Sequence, residues 1–166
     1  MARVNLKELQ APIKDRYRED ASEAQITLTA RASEQDTPTG CSVDLGRAIQ
    51  AAEAHAGVGG PGTAACSGDL LLGALAACAQ ITCQMVATAM GIETDSIEVI
   101  AEGDLDLRGT LGIDREVTAG FEVIRLRFDI DAPGASDDDL VNLIEKTERY
   151  CTVLQTLSRP TPVVTG

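Results

Sequence analysis

The feature that most limits how this chain can fold is the uncharged segment from Leu70 to Ile92. Its length is sufficient for a membrane-spanning helix. However, Gln80 and Gln84 interrupt it, much of it is weakly apolar alanine, and its acidic flanks lack the Lys, Arg, Trp or Tyr that anchor membrane helices. We therefore expect a helix from about Gly68 to Met90 that is buried by its own domain or by a second subunit.

The acidic composition limits the partners of the chain. The 26 acidic residues against 14 basic ones give a net charge of −12, which repels phosphate backbones and anionic lipid headgroups. Two Phe, two Tyr and no Trp leave no aromatic platform for stacking bases. We expect neither nucleic acid nor a membrane as a partner. The start, MARVNLKELQ, lacks the apolar stretch of a secretory signal, so we expect a cytoplasmic protein with reduced thiols.

Periodicity on both sides of the uncharged segment predicts a single α+β domain at residues 23–166, preceded by a helical arm at residues 1–22. The apolar positions of the arm are Leu6, Leu9, Ile13 and Tyr17. Alternation in AQITLTARA, turn residues in EQDTPTG and the apolar CSVDL predict a β-hairpin. The segment GRAIQAAEAHAGVGGPGTAACSG has little periodicity and many glycines, which predicts a loop with one helical turn.

After the central helix, SIEVIAEGDLDLRG and FEVIRLRFDID alternate as two strands, with GTLGIDREVTAG as the loop between them. Ser136 and Asp139 have the spacing of a capping box, which predicts a further helix. Its apolar stripe comprises Leu140, Ile144, Thr147 and Cys151. The tail, SRPTPVVTG, has two prolines and predicts an extended segment with an edge strand. The predicted sheet has four or five strands.

Two motifs are weak on inspection. GVGGPG at Gly57–Gly62 satisfies G-x-G-x-x-G, but AEAHA is not a strand before it, and no acidic residue lies between Asp69 and Glu93 to bind a ribose. A tightly turning or flexible loop is the simpler interpretation. A metal site is not indicated either, because the chain has no C-x-x-C and a single histidine, His55.

The cysteines are the remaining candidates for chemistry. On composition alone Cys78 is an inert buried thiol, expected on the same face as Leu71, Leu75 and Thr82. Reactivity requires a thiolate, and mid-helix Cys78 is too far from its own helix N-terminus for the dipole to help. Cys83 lies about 140° around the helix, so these two cannot readily form a disulfide. Other partners are Cys151, Cys41 and Cys66.

The buried helix DLLLGALAAC, the following ITCQMVATAMGI, EGDLDLRGTLGI, and the late cysteine of ERYCTVLQTL together resemble the OsmC/Ohr family of thiol peroxidases over residues 23–163. The resemblance implies an intertwined α+β homodimer with an antiparallel sheet, a peroxidatic cysteine at Cys78 and a resolving cysteine at Cys151. It also implies organic hydroperoxides as substrates, an external dithiol as reductant, and no metal or flavin cofactor.

Three departures from the family pattern concern activation of the thiol. The organic-peroxide branch has an Arg in the first hairpin turn, where EQDTPTG has none, so a cation would come from Arg31, Arg47 or Arg108. The branch also has Asn-Pro-Glu near the helix start, where this chain has CSGD. Asp69 is the residue that could replace the Glu, although it lies about 180° around the helix from Cys78. The common Cys-Pro is replaced by Cys151-Thr152.

Two other functions remain open from the sequence. A non-catalytic dimer of this fold that binds an apolar ligand or protein partner would explain the missing Arg and Glu. Sulfur or thiol transfer would use the same two cysteines. The helix predicted for the uncharged stretch is apolar around more of its surface than a small sheet can cover. We therefore expect an obligate homodimer in either case.

Overall fold

Two antiparallel sheets and one long helix form the framework of the described chain. The computed structural model describes residues 8, 10–12, 15, 19–20, 25, 27, 31–34, 40–44, 49–159 and 161–166, with the side chains of 31–34 and 40–44 excepted. The four apolar positions predicted for the N-terminal arm lie outside these residues. The order of elements from residue 31 is three strands, a long helix, a strand, a short helix, a strand and two helices.

The first sheet comprises β1 (Arg31–Glu34), β2 (Gly40–Asp44) and β3 (Ile49–Glu53), paired antiparallel in that order. The β1–β2 pairing confirms the predicted hairpin, although most of AQITLTARA lies outside the described residues. The prediction of a loop was wrong for residues 49–53. Their sequence, IQAAE, has weak strand propensity, and pairing with β2 overrides it.

The glycine-rich loop after β3 closes on itself. The Glu53 carboxylate accepts hydrogen bonds from the backbone N–H groups of Thr63 and Ala64 and from the Thr63 hydroxyl. The hydrogen bond from the Thr63 hydroxyl is the main reason why the pKa of Glu53 is lowered. A Cβ on Gly60 would lie 1.6 Å from the carbonyl oxygen of Ala54, so only glycine fits there. The segment is a tight turn, which is one of the two structures the sequence predicted.

The long helix, α1, spans Ser67–Met90, close to its predicted bounds. Cys66 is its N-cap: the sulfur accepts from the N–H of Asp69, and the Asp69 carboxylate accepts from the N–H of Cys66. This is a capping box with a thiol in place of the usual hydroxyl. Gly91 ends the helix with φ of 73°, in the left-handed conformation that glycine adopts without strain.

The second sheet pairs β4 (Ser96–Leu105) with β5 (Phe121–Asp131). The predicted alternation is confirmed: one face packs on α1, and the other carries ion pairs such as Arg125 with Asp104. Gln80 also holds α1 to this sheet, because its side-chain amide donates to the carbonyl of Ile97 at 2.9 Å. The described strands therefore form sheets of three and two, not one sheet of four or five.

The strand prediction was too long for SIEVIAEGDLDLRG. β4 ends at Leu105, and Leu107–Thr110 forms a short helix, α2, capped by the Asp106 side chain. Asp106 accepts from the backbone N–H of Arg108 and from its guanidinium. These local hydrogen bonds compete with a ladder and stop the strand.

Two helices follow the second sheet. α3 spans Asp137–Tyr150 and begins with the predicted Ser136–Asp139 capping box. Leu143 and Thr147 are its fully buried residues, so the buried stripe is shifted from the predicted one, in which Leu143 was missing. α4 spans Thr152–Leu157 and was not predicted. The described tail, residues 161–166, contains no strand, so the predicted edge strand is absent from it.

The core divides along α1. The first core cluster comprises Leu75, Ala79 and Cys151. The second core cluster comprises Cys83, Ala87 and Leu143. On the opposite side of α1 the large apolar side chains of Ile81 and Met85 are exposed. Leu71 was expected on the buried face and is instead 37% exposed within one chain.

By length and composition α1 could cross a membrane, and it is the one such helix among the described residues. In this fold it packs against β4, α3 and α4. A buried core helix has the same composition, which is why hydropathy alone does not separate the two structures.

Candidate active site

Cys78 lies near the middle of α1 and is half-buried. It packs against the first core cluster, together with Val153 and Leu154 of α4. Its surroundings are therefore largely apolar on the protein side, while part of the side chain remains accessible. A thiol in such a position can react with a small molecule, provided that it ionises.

Cys151 is the residue between α3 and α4. It has extended φ and ψ of −72° and 107°, so it ends the first helix and caps the second without belonging to either. The sequence predicted that it would end the buried stripe, and the side chain is indeed fully buried. Its backbone N–H still donates to the carbonyl of Thr147, which fixes the direction of the turn.

The fold brings Cys78 and Cys151 together, although they are far apart in the sequence. The side chain of Cys78 packs against the first core cluster, to which Cys151 belongs. The packing of α4 across the N-terminal half of α1 produces this contact. No such contact links Cys78 with Cys83, whose side chain enters the second core cluster.

Burial acts to raise the pKa of the Cys78 thiol, but hydrogen bonding to the sulfur outweighs it, and the pKa lies below its ordinary value. The groups that lower the pKa, in decreasing order of effect, are the Val153 N–H, the Cys151 thiol, the Thr152 N–H and the Thr82 hydroxyl. Each of them is neutral. Uncharged groups therefore supply part of the thiolate stabilisation that we expected from a cation.

The pKa of Cys151 shifts in the opposite direction. Burial raises it, the nearby N–H of Leu154 acts against this, and Cys78 raises it further. Because the two thiols are in contact, ionisation of one disfavours ionisation of the other. Cys78 is therefore the thiol that ionises first, and Cys151 remains protonated beside it.

The residues proposed to activate Cys78 by charge are placed elsewhere or lie outside the described part. Arg108 pairs with Asp106 and Asp114, and its side chain is largely exposed. Arg47 and the side chain of Arg31 lie outside the described residues. The Asp69 carboxylate is committed to the cap of α1, where its hydrogen bond from Cys66 lowers its pKa.

The other described cysteines lie in the core or at the cap of α1. Burial raises the pKa of the fully buried Cys83, and the Thr147 hydroxyl partly offsets this. Cys66 is half-buried at the cap of α1. The side chain of Cys41 lies outside the described residues. Within the described chain, no three His, Cys, Asp or Glu side chains cluster as a metal site would require.

The donors on α4 could not be named from the sequence. Backbone N–H groups at Thr152 and Val153 reach the sulfur because α4 begins immediately after Cys151. The apolar spacing of Val153, Leu154 and Leu157 is a signal that could have indicated this helical turn. Because proline has no N–H, replacing the family's Cys-Pro by Cys151-Thr152 adds one of these donors.

A cavity of about 640 Å³ is lined by side chains of α1 and α3 and by Gln10; neither Cys78 nor Cys151 lines it. Thr82 lines it, with the apolar residues Met85, Val86, Ala89 and Met90. Lys146 and Tyr150 line the α3 side. The cavity offers a mainly apolar surface adjacent to the residue that contacts Cys78.

Comparison with known proteins agrees with this fold. The OsmC-like protein family model matches residues 60–166. An OsmC-like protein from Mycoplasma pneumoniae is 18% identical with a TM-score of 0.68, over 82% of this chain and 90% of that one. An organic hydroperoxide resistance protein from Elizabethkingia anophelis is 21% identical with a TM-score of 0.60, over 82% and 90%. No curated protein matches the chain.

An organic hydroperoxide resistance protein OsmC from Legionella pneumophila is also similar, at 18% identity and a TM-score of 0.57 over 80% of this chain and 89% of that one. At these identities the likeness shows the fold alone. It confirms the predicted α+β architecture of an antiparallel sheet with a long central helix.

Proposed function

This chain belongs to the OsmC-like protein family, and from that premise we propose that it is a thiol-dependent peroxidase that reduces organic hydroperoxides. In this proposal Cys78 is the peroxidatic cysteine and Cys151 is the resolving cysteine. The observation that carries it is the contact between two thiols whose pKa values shift in opposite directions. One thiol is prepared to attack, and the other is kept protonated beside it.

The first step is attack by the Cys78 thiolate on the terminal oxygen of the hydroperoxide. The S–O bond forms as the O–O bond breaks, the sulfur is oxidised to sulfenic acid, and the departing alkoxide takes a proton from water to become the alcohol. Hydrogen-bond donors around the sulfur stabilise the thiolate before the attack.

The second step uses the adjacent Cys151. Its sulfur attacks the sulfenic sulfur of Cys78, an S–S bond forms, and the sulfenic oxygen leaves as water with the thiol proton. An external dithiol then reduces the disulfide by exchange and is itself oxidised, which regenerates both thiols. The end of α3 and the start of α4 meet at Cys151, where a small backbone adjustment is least costly.

An organic substrate fits the surroundings better than hydrogen peroxide. Cys78 packs against apolar side chains, and the neighbouring cavity is lined by methionine, valine and alanine. Burial of an alkyl chain there is favourable by about 0.8 kcal/mol per CH₂. The peroxide itself needs only the thiolate and its donors.

We further propose that the protein acts as a cytoplasmic homodimer. The exposed apolar side chains of α1, with Ile81 at 56% and Met85 at 39%, require a cover that the described part of one chain does not supply. A second copy would cover this face. A well-folded monomer in sedimentation at micromolar concentration would contradict the proposal.

Thiol mapping after stoichiometric alkyl hydroperoxide tests the reaction. The wild type should lose two thiols and form a Cys78–Cys151 disulfide visible in peptide maps. Cys151→Ser should stop at a trappable sulfenic acid, and Cys78→Ser should leave the peroxide unconsumed. Cys83→Ser is the matched control on the same helix and should retain turnover. Full turnover by Cys78→Ser, or a disulfide at Cys83 or Cys66, would overturn the assignment.

A second candidate function is binding of an apolar ligand without catalysis. The apolar cavity favours it, as does the engagement of Asp69 in the helix cap, which leaves the family's Glu without a replacement at Cys78. If Cys78 reacts with an alkylating probe no faster than a free thiol at neutral pH, this function is favoured over the peroxidase.

A further inference from the structure

The helical threonines of this protein differ in what their hydroxyl groups do. Thr88 donates to the carbonyl of Gln84 at 2.8 Å, and Thr147 donates to that of Leu143 at 2.7 Å. Thr156 makes the same bond, four residues back, at 2.8 Å. This is the usual bond of a threonine inside a helix. It commits the hydroxyl to the backbone.

Thr82 is different. It lies inside α1 but donates to no carbonyl of the described residues. Thr82 lies one helical turn after Cys78, and helical side chains lean toward the N-terminus, so the side chains of the two residues are neighbours on one face of α1. The Thr82 side chain is half-buried and lines the apolar cavity between α1 and α3. Its hydroxyl is therefore available to a neighbouring acceptor other than the helix backbone.

We propose that the Thr82 hydroxyl donates a hydrogen bond to the Cys78 sulfur and holds it in its ionised, reactive form. This role rests on the proposed peroxidase function and adds a side chain to its machinery. The Thr82 hydroxyl is one of the groups that lower the pKa of Cys78, which agrees with this placement. Thr82 also differs from Cys151 in that the reaction cycle does not consume it.

The role has a direct consequence for the thiolate. An uncharged thiol gains little from a hydroxyl donor, whereas a thiolate gains a charge-assisted hydrogen bond. Loss of the hydroxyl should therefore raise the pH at which Cys78 ionises by about one unit. Below that pH, the thiolate fraction and the rate of its reactions should fall about tenfold.

The test compares three variants of the full-length protein. Thr82→Val removes the hydroxyl and keeps the shape, Thr82→Ser keeps the hydroxyl, and Thr88→Val removes a hydroxyl that is bound to the backbone of the same helix. The rate of Cys78 alkylation by iodoacetamide is measured against pH, with the modified peptide quantified by mass spectrometry. The midpoint should rise in Thr82→Val and stay at the wild-type value in the other two variants.

Thr82→Ala provides the same loss of the hydroxyl in a strong helix former, so the experiment does not depend on one variant folding. An unchanged midpoint in both Thr82→Val and Thr82→Ala, or an equal rise in Thr88→Val, would overturn the proposal. Alkylation needs no peroxide, so this result is independent of turnover. If the wild type consumes no hydroperoxide but the midpoint moves, the peroxidase fails and the role of Thr82 stands.

Discussion

The two halves of α1 pack against the same sheet but bury their cysteines under different helices. In the N-terminal half, Cys78 meets the start of α4, where backbone N–H groups are free to donate to a sulfur. In the C-terminal half, Cys83 meets the middle of α3, where the backbone is already hydrogen-bonded within the helix and the Thr147 hydroxyl donates to the Leu143 carbonyl.

This difference separates burial from reactivity. Both thiols are removed from water to some extent, and burial acts to raise the pKa of both. The pKa of Cys83 is raised as a result, whereas donors at a helix start reverse the effect at Cys78. Whether a cysteine on an apolar helix is reactive therefore depends mainly on which part of a neighbouring helix it contacts.

The largest difference should appear in native-state thiol labelling. Cys78 should react with iodoacetamide in the folded protein, while Cys83, which is 0% exposed, should be labelled only when the protein opens. Peptide maps at increasing urea concentration measure both sites in one sample. Labelling of Cys83 without urea at the rate of Cys78 would show that the two halves of α1 do not differ as described.

Truncating a buried leucine in either core cluster should lower stability by a similar amount. The effects on the reactivity of Cys78 should differ. Leu75→Ala and Leu143→Ala each remove a fully buried side chain and should lower the free energy of unfolding by about 2–5 kcal/mol. Urea denaturation measures this, and Val141→Ala, at a 55% exposed position of α3, is the control, with a change within about 0.5 kcal/mol.

Of the two core variants, Leu75→Ala should also change the pH midpoint of Cys78 alkylation, because Leu75 and Cys151 share the first core cluster. Leu143→Ala should leave that midpoint unchanged. A shift of equal size in both variants would mean that the clusters are not separate environments.

The smallest effect is expected for Thr147→Val. The carbonyl of Leu143 loses the hydroxyl donor but keeps the backbone N–H of Thr147 within α3, so the free energy of unfolding should fall by less than about 1 kcal/mol. Urea denaturation curves of the wild type and of Thr147→Val measure this difference.

Elements with strong local signals could be predicted from the sequence. The uncharged stretch before Gly91, the alternation of Ile124 with Arg125 and its successors, and the Ser136 capping box each specify structure within a few residues. β3 could not be predicted in this way, because IQAAE becomes a strand only through its pairing with β2.

The two cysteines of the candidate site could be named from the sequence, but not what surrounds them. Donation from Val153 and Thr152 depends on backbone N–H groups, which every sequence contains and which become available only where a helix starts. The sequence led us to expect an activating arginine, which is charged. In the described structure the groups that lower the pKa of Cys78 are uncharged.

Phe128 connects the two halves of α1, since its ring packs against both core clusters. Loosening either cluster uncovers part of an aromatic side chain that the other one also needs. The two halves should consequently open together rather than as independent units, and the slowest-exchanging backbone amides of α1 should share one opening free energy on both sides of Gln80. The two thiols thus differ in their chemistry, although the helix that holds them opens as one unit.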